Sequence, residues 1–483
     1  MHERTGDRLE RCASVALVLS ALLAGGCGSP PRPRNLLVIT LDTMRADRLP
    51  PYGFSGVVTP ALDRLAAEGA LFEQSFAAVP MTLPSHATLF TGMYPPRLGV
   101  RDNTGAPLSA DFRTLAEVLG ARGLTTGAFV ASAVLAPRRG LDQGFGTYSM
   151  GTSPACPGSP RARRPADDVV SEAVTWLARH DPSPFFVWIH LYDTHRPYRL
   201  PDDYARGYAD PYAAAIAFED AQIARLISHL DARDLLDDTL MVVVGDHGES
   251  LGDHGEDSHG IFIYQDALRV PLILRGPGVV PRRVGAPVRL VDVMPTILDM
   301  FGVGTPPMDG ISLTRLLAGA DEGSSREVYA ESLYPQRFGW ASLRSLRADR
   351  YKVIEAPRPE LFDLDSDPYE QRNLFESKRS VGAAMLNRLR SFDWEPGSGG
   401  DRAPQVDRAF ADRLASLGYV SGTSGRVSTV SDGQSDPKDM IAAFNHLTKL
   451  QSEKGVWAPA MTEACSGGLR AREYSLSRLS TEN

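Results

Sequence analysis

The chemistry-bearing residues of this 483-residue chain gather in three short stretches. The stretch VVVGDHGESLGDHGEDSHG sets Asp246 beside His247 at the end of an apolar run, then adds His254 and His259 among acids. One turn can aim a carboxylate and an imidazole at a single ion; the pair suits Zn or Mn, and Asp also serves harder cations. The run NLLVITLD ends in Asp42, and VPMTLPSHATLFTG crowds Thr82, Ser85, His86 and Thr88 at the start of an expected helix. Asp42, Thr82, Asp246 and His247 are therefore the candidate metal ligands. A threonine alcohol is barely ionised at neutral pH, so Thr82 attacks only if a metal or base lowers its pKa. It stands just ahead of Pro84, where the unpaired amides of a helix start favour an anionic group. The plainer alternatives are a helix cap for Thr82 and a Gly-rich acidic turn for the histidine stretch. Three histidines within one short segment weigh toward the metal.

The elements that must position these residues alternate along the chain. NLLVITLD, TTGAFVAS, PFFVWIHLYD, DTLMVVVGDHG and VPLILRGPG read as buried strands. Between them, TPALDRLAAEG carries a Thr cap, Pro at the first helical position and Gly at the end, and YAAAIAFEDAQIARLISHLDARDLL is a long amphipathic helix. This alternation predicts an α/β sandwich with a mostly parallel central sheet flanked by helices, and ligands at the carboxyl ends of its strands. Asp42, Asp193 and Asp246 each stand there. From about residue 325 short β-like segments predict a small C-terminal α+β subdomain, 325–395. A Gly/Ser/Asp/Pro-rich linker (396–438) and a helical, then polar, tail (439–483) follow, the tail being read as an appendage.

A formal net charge of -8 and the lack of a Lys/Arg face argue against a nucleic-acid partner. The basic run PRARRPADD is read as a solvated loop. ASVALVLSALLA is too short to span a bilayer but has the length of a secretory h-region. It leads into AGGCGS, which resembles a bacterial lipoprotein signal with Cys27 as the acylated residue. The expected layout is a signal peptide (1–26), a linker (27–34) and a catalytic domain (35–324), exported to the periplasm or anchored to the outer membrane through that lipid. Only Cys156 and Cys465 then remain in the mature chain, too few for a disulfide framework or a Cys-based metal site.

The segments NLLVITLDTMRADRLPPYG, MTLPSHATLFTGMYP, HLYDTHRPY, GDHGESLGDHGEDSHG, LVDVMPTILDMFG and LFDLDSDPYEQRNL occur in the order seen in the sulfatase family of the alkaline-phosphatase superfamily, which the chain resembles from about residue 35 to 376. In that family the nucleophile opens Cys/Ser-x-Pro-x-Arg and is oxidised to formylglycine. Here the pattern reads Thr82-Leu83-Pro84-Ser85-His86, so no formylglycine is expected, and His86 replaces the arginine among the substrate contacts. Threonine nucleophiles in the superfamily act on phosphorus esters. The resemblance further implies that His195 contacts the transferred group and that His259 donates a proton to the leaving oxygen. Asn103, or Arg101, would hold a non-bridging oxygen; a turn role is the alternative for Asn103. Asp292 matches a family position and is read as a helix N-cap. One divalent ion is expected, with Mn, Zn or Mg favoured over Ca; a second would take Asp193, His195 and His259.

The leading expectation is a metal-dependent hydrolase of phosphate mono- or diesters, or phosphonate esters, working through Thr82 and a covalent intermediate. The alternatives are a sulfuric ester hydrolase, a phosphoryl-group transferase acting on an envelope glycan, and a non-catalytic binding protein. The substrate is expected to be a small-molecule, glycan or lipid ester. Its leaving group is left open, as is the oligomeric state; the loops GTSPACPGSPRARRPADD and LYPQRFGW are the expected specificity elements.

Overall fold

The strand NLLVITL, β1 (Asn35–Leu41), is buried along its whole length and runs between two parallel neighbours, β5 (Phe185–Leu191) and β6 (Thr239–Gly245). Apolar residues on both faces of all three segments favour such a central position, since helices cover both sides of a parallel sheet. The protein is described by a computed structural model that covers residues 31–153, 156–160, 163–180, 183–320, 326–392 and 433–453. The expected signal, Cys27, Cys465 and most of the expected linker and polar tail lie outside the described residues.

Strands β2 (Ala70–Phe76), β3 (Thr125–Val130), β4 (Thr147–Ser149), β7 (Arg269–Arg275) and β8 (Arg282–Val284) extend the sheet in the order β8-β2-β7-β6-β1-β5-β3-β4. A two-residue strand, β9 (Val288–Arg289), also pairs with β2. Only β7 runs antiparallel to its neighbours. Leu41 is in register with both Leu191 and Gly245, so the three central strands stop at one level.

Helices α1 (Pro60–Glu68), α2 (Thr82–Thr91), α3 (Ala166–His180), α4 (Pro211–Asp231) and α5 (Val293–Met300) flank this sheet. The start of α1 departs from expectation. The Thr59 hydroxyl bonds Asp63 rather than an amide, and the cap comes from α4, where the Asp220 carboxylate accepts from the Ala61 and Leu62 amides (3.1 and 2.8 Å). Asp292 likewise makes no side-chain cap for α5. Its carboxylate grips the Arg289 guanidinium (2.6 and 3.0 Å) and the Ile311 amide (2.9 Å). A basic partner nearby outcompetes a neutral amide for the carboxylate.

Strands β10 (Val328–Ser332), β11 (Leu343–Ala348), β12 (Tyr351–Glu355) and β13 (Glu360–Asp363) form a four-stranded antiparallel sheet in chain order, against which α6 (Arg379–Arg390) packs. This sheet is tied to the catalytic half: the Glu331 amide bonds the Ala78 carbonyl (2.9 Å), Ser332 Oγ the Gly260 carbonyl and Lys352 Nζ the Ile263 carbonyl (2.7 Å). Helix α7 (Pro437–Glu453) is no appendage, because Phe444 is 2% exposed between Tyr334 and Phe338. The described residues from Pro33 onward form one compact unit. Among the described residues no helix is long and apolar enough to cross a membrane.

Candidate active site and metal centre

Because β6, β1 and β5 end level, Asp246, Asp42 and Asp193 emerge at one edge of the sheet. Asp246 Oδ1 accepts from the amides of Thr43 (3.2 Å) and His247 (2.7 Å), and its Oδ2 is buried without a hydrogen-bond partner. Asp42 Oδ2 accepts from the Thr82 hydroxyl and from His190 Nε2, both at 3.2 Å, and its Oδ1 is likewise buried and unpartnered. His247 donates from Nδ1 to the Gly248 carbonyl (2.9 Å), so Nε2 is a bare acceptor. That nitrogen lies 3.4 Å from Thr82 Oγ1, 3.6 Å from Asp246 Oδ2 and 3.9 Å from Asp42 Oδ1. The four residues expected to hold the metal are therefore brought together, all of them buried.

The electrostatics fit a cation. Burial pushes the Asp42 carboxyl up to about 7. Burial, and then the neighbouring Asp42, pushes Asp246 well above the carboxylate range. Burial, and then His259, holds the His247 imidazole neutral. Two buried carboxylates with unused oxygens beside a bare imidazole nitrogen are costly alone and are satisfied by a divalent ion.

Thr82 is not a cap. It is the first residue of α2, after an extended Met81 (φ −151°), and its hydroxyl faces Asp42 and His247 rather than an amide of its own helix. His86, one turn on, is not a substrate contact either, since both its nitrogens are used. Nδ1 donates to the Thr82 carbonyl (2.7 Å), and Nε2 accepts from Thr40 Oγ1 (2.9 Å), which itself accepts from Trp188 Nε1 (3.0 Å). Burial, then His190, lowers the His86 pKa to about 3, so the ring is neutral and bolts the nucleophile's turn to the sheet. Thr40 and His190 are register partners, and His190 shares a strand face with Trp188.

Asn103 lies beside the same turn. Its Oδ1 accepts from the Leu83 amide (2.8 Å), while its Nδ2 is buried and unpartnered, a donor suited to an oxyanion. Arg101 is committed elsewhere, its guanidinium forked onto Glu331 (2.8 Å through Nε). His195 stacks on Tyr192 with centroids 4.3 Å apart and donates from Nδ1 to the Arg196 carbonyl (2.5 Å). Burial, and then His259, keeps it neutral. Its Nε2 is thus an acceptor, able to ligate or to take a proton-bearing oxygen but not to donate to an anion.

His259 differs. Burial opposes its charge, yet the Glu249 carboxylate at 3.2 Å from Nδ1 raises its pKa above that of an ordinary histidine. Its ring lies 4.6 Å from that of His247 and 5.1 Å from that of His195. The trio expected for a second ion does not assemble. Asp193 Oδ2 accepts from the Ala166 amide (2.9 Å) at the start of α3, and Asp193, His195 and His259 form no ligand cluster among the described residues.

Three site residues escaped the sequence reading. His190 orients Asp42, Glu249 orients His259, and Glu219 of α4 accepts from the Asp193 (2.7 Å) and Thr194 (3.2 Å) amides. A polar residue inside the apolar run VWIHLY was the available signal for His190. The basic run also differs from the solvated loop expected. Arg164 is buried and pairs with Glu172 (2.7 Å), and the Arg163 guanidinium lies over the Tyr192 ring.

The Sulfatase family model matches residues 34–303, more than half of the chain. The chain belongs to the sulfatase family. A second model, the C-terminal region of N-sulphoglucosamine sulphohydrolase, matches residues 252–393 of this sulfatase-family chain. The ulvan-active sulfatase of Formosa agariphila is 26% identical over 74% of the chain and 81% of its own length. Arylsulfatase A of Bos taurus is 26% identical over 80% and 91%. Among solved structures, the phosphonate monoester hydrolase of Agrobacterium radiobacter superposes with a TM-score of 0.64 at 23% identity, over 74% of this chain and 95% of its own, a likeness of fold. The chain is an ester-bond hydrolase of the alkaline-phosphatase-like superfamily, a family whose members use a divalent metal ion.

Proposed function

We propose that the chain hydrolyses phosphate or phosphonate esters through a covalent Thr82 intermediate. The observation that carries this reading is the Thr82 hydroxyl, buried and held at 3.2 Å from Asp42 Oδ2 and 3.4 Å from His247 Nε2. Asp42, Asp246, His247 and Thr82 would hold the divalent ion, which when bound supplies the Lewis acidity that lowers the alcohol's pKa. Thr82 Oγ1 attacks phosphorus as its proton passes to Asp42 Oδ2. The bond from phosphorus to the leaving oxygen breaks, and protonated His259 donates the proton that oxygen needs. Asn103 Nδ2 offers a hydrogen bond to a non-bridging oxygen. Water then attacks the phosphothreonine and yields its proton to His259, while the proton on Asp42 returns to Thr82.

A sulfuric ester is the second reading, favoured by the sulfatases among the relatives. The threonine favours phosphorus, since its methyl-bearing β-carbon cannot yield the aldehyde that Cys- or Ser-based members use. The test pairs p-nitrophenyl phosphate, bis-p-nitrophenyl phosphate and p-nitrophenyl phenylphosphonate against p-nitrophenyl sulfate. The protein is metal-stripped and reconstituted with one ion at a time, with Thr82→Ala as control. Phosphorus-ester turnover lost in the variant supports the proposal; dominant sulfate-ester turnover replaces it with the second reading. Export with acylation at Cys27 belongs to the same proposal, supported by the apolar run ahead of AGGCGS, and radiolabelled palmitate incorporation lost in Cys27→Ala tests it.

A further inference from the structure

We infer that Asn445, on the C-terminal helix α7, is a positioning residue for His259; this rests on the acid role given to His259 above. The loop that carries His259 has an unfavourable backbone: Leu251 and His254 have φ of 55° and 53°, and Gly252, Gly255 and Gly260 are also left-handed. Side-chain-bearing residues persist in that region only where surrounding structure dictates the conformation. Part of the constraint is internal, through the Ser250 amide on the Ser258 carbonyl and the Gly252 amide on the Glu256 carbonyl, both 2.8 Å. Glu256 adds two bonds of 2.9 Å, to the Ile261 and Phe262 amides.

Arg45 holds the start of the loop through the Glu249 and Ser250 carbonyls and the Asp253 carboxylate, and a further constraint, nearer His259, comes from a segment almost two hundred residues away. Asn445 Nδ2 donates to the Gly255 carbonyl (2.7 Å), and its Oδ1 accepts from the Asp257 amide (3.2 Å). One side chain thus pairs a carbonyl four residues and an amide two residues before His259. The neighbouring Phe444 packs on Tyr334 (centroids 6.1 Å apart), whose ring would lie 3.2 Å from any β-carbon placed on Gly260, the residue after His259. The helix that delivers both residues is anchored independently, by Asp439 on the Arg358 guanidinium (2.7 and 2.8 Å) and by Lys438 on the Arg358 carbonyl (2.9 Å). Helix α7 therefore braces His259 from both sides, although no residue of the helix belongs to the donor cluster itself.

The test uses the full chain and p-nitrophenyl and phenyl esters of phosphate and of sulfate, since only the poorer phenolate leaving group needs a well-placed proton donor. Asn445→Ala is expected to lower kcat for the phenyl ester about three- to tenfold more than for the nitrophenyl ester, the effect of one or two lost neutral hydrogen bonds. KM and metal content stay unchanged, and amide exchange quickens at residues 253–259. Asn445→Asp, which keeps the acceptor and loses the donor, should fall between. Equal loss on both esters, or faster exchange with unaltered kinetics, overturns the proposal. His259→Ala run alongside separates the two claims: selective loss there but not in Asn445→Ala removes the brace alone, and no selectivity in either removes the acid assignment and the brace together.

Discussion

Removing the charge of a metal ligand should stabilise the metal-free protein. The perturbation is Asp42→Asn. Burial holds the Asp42 carboxyl at about 7 in the folded chain against an ordinary 3.8. A folded pKa above the unfolded value means that ionisation opposes folding: the metal-free wild type loses stability as pH rises from about 4 to about 7, and the deficit is complete above that. Its limit is on the order of 4 kcal/mol. Asparagine keeps an acceptor for Thr82 and His190, and its amide can turn toward the unpartnered Asp246 Oδ2. Urea unfolding of both metal-stripped proteins at pH 5 and pH 8 reads the difference; Asp246 and Glu219, which the Asp42 charge pushes up, are relieved in the variant and add to it, while buried acids that do not feel Asp42 cancel. The variant should gain about 2 to 3 kcal/mol more at pH 8 than at pH 5. With a divalent ion at a thousandfold its Kd only the wild type gains the roughly 4 kcal/mol that binding supplies, which offsets its deficit at pH 8 and reverses the order at pH 5. If Asp42→Asn is less stable by the same amount at both pH values, the carboxylate is there for its hydrogen bonds to His190 and Thr82, and the reasoning for a metal site fails.

Thr82→Ala should cut kcat by about a thousandfold or more, as expected for loss of a nucleophile, while Asp42, Asp246 and His247 remain to hold the ion and metal content by mass spectrometry stays near wild type at saturating metal; full retention of turnover would remove Thr82 from the chemistry. Glu249→Gln weakens the field that keeps His259 protonated, so kcat should fall mainly for esters with poor leaving groups, read by comparing phenyl with nitrophenyl substrates. Asp220→Ala leaves two amides of α1 uncapped and should cost about 1 to 2 kcal/mol in denaturant unfolding, whereas Thr59→Val should cost far less.

By itself the sequence determined the sheet and its chemical edge. Apolar runs ending in Asp42 and Asp246 specify buried parallel strands, and the alternation with helices fixes the sandwich, because both signals arise from local period and burial. Asp42, Thr82, Asp246 and His247 were legible for that reason: each sits at a strand end or helix start whose direction the local pattern dictates. The partners of each side chain were decided only in three dimensions. His86 stood in the motif as a substrate contact, yet its Nε2 is taken by Thr40, and Trp188, which bonds Thr40 in turn, arrives from a different strand. Arg101 meets Glu331 from a sheet more than two hundred residues later, and Asp220 takes the cap that Thr59 promised. No local pattern encodes those meetings, since a charge or amide binds whichever complementary group the packing of distant elements brings within reach. The same holds for Asn445, whose polar helix looked like a tail until Phe444 was buried and the loop of His259 lay against it.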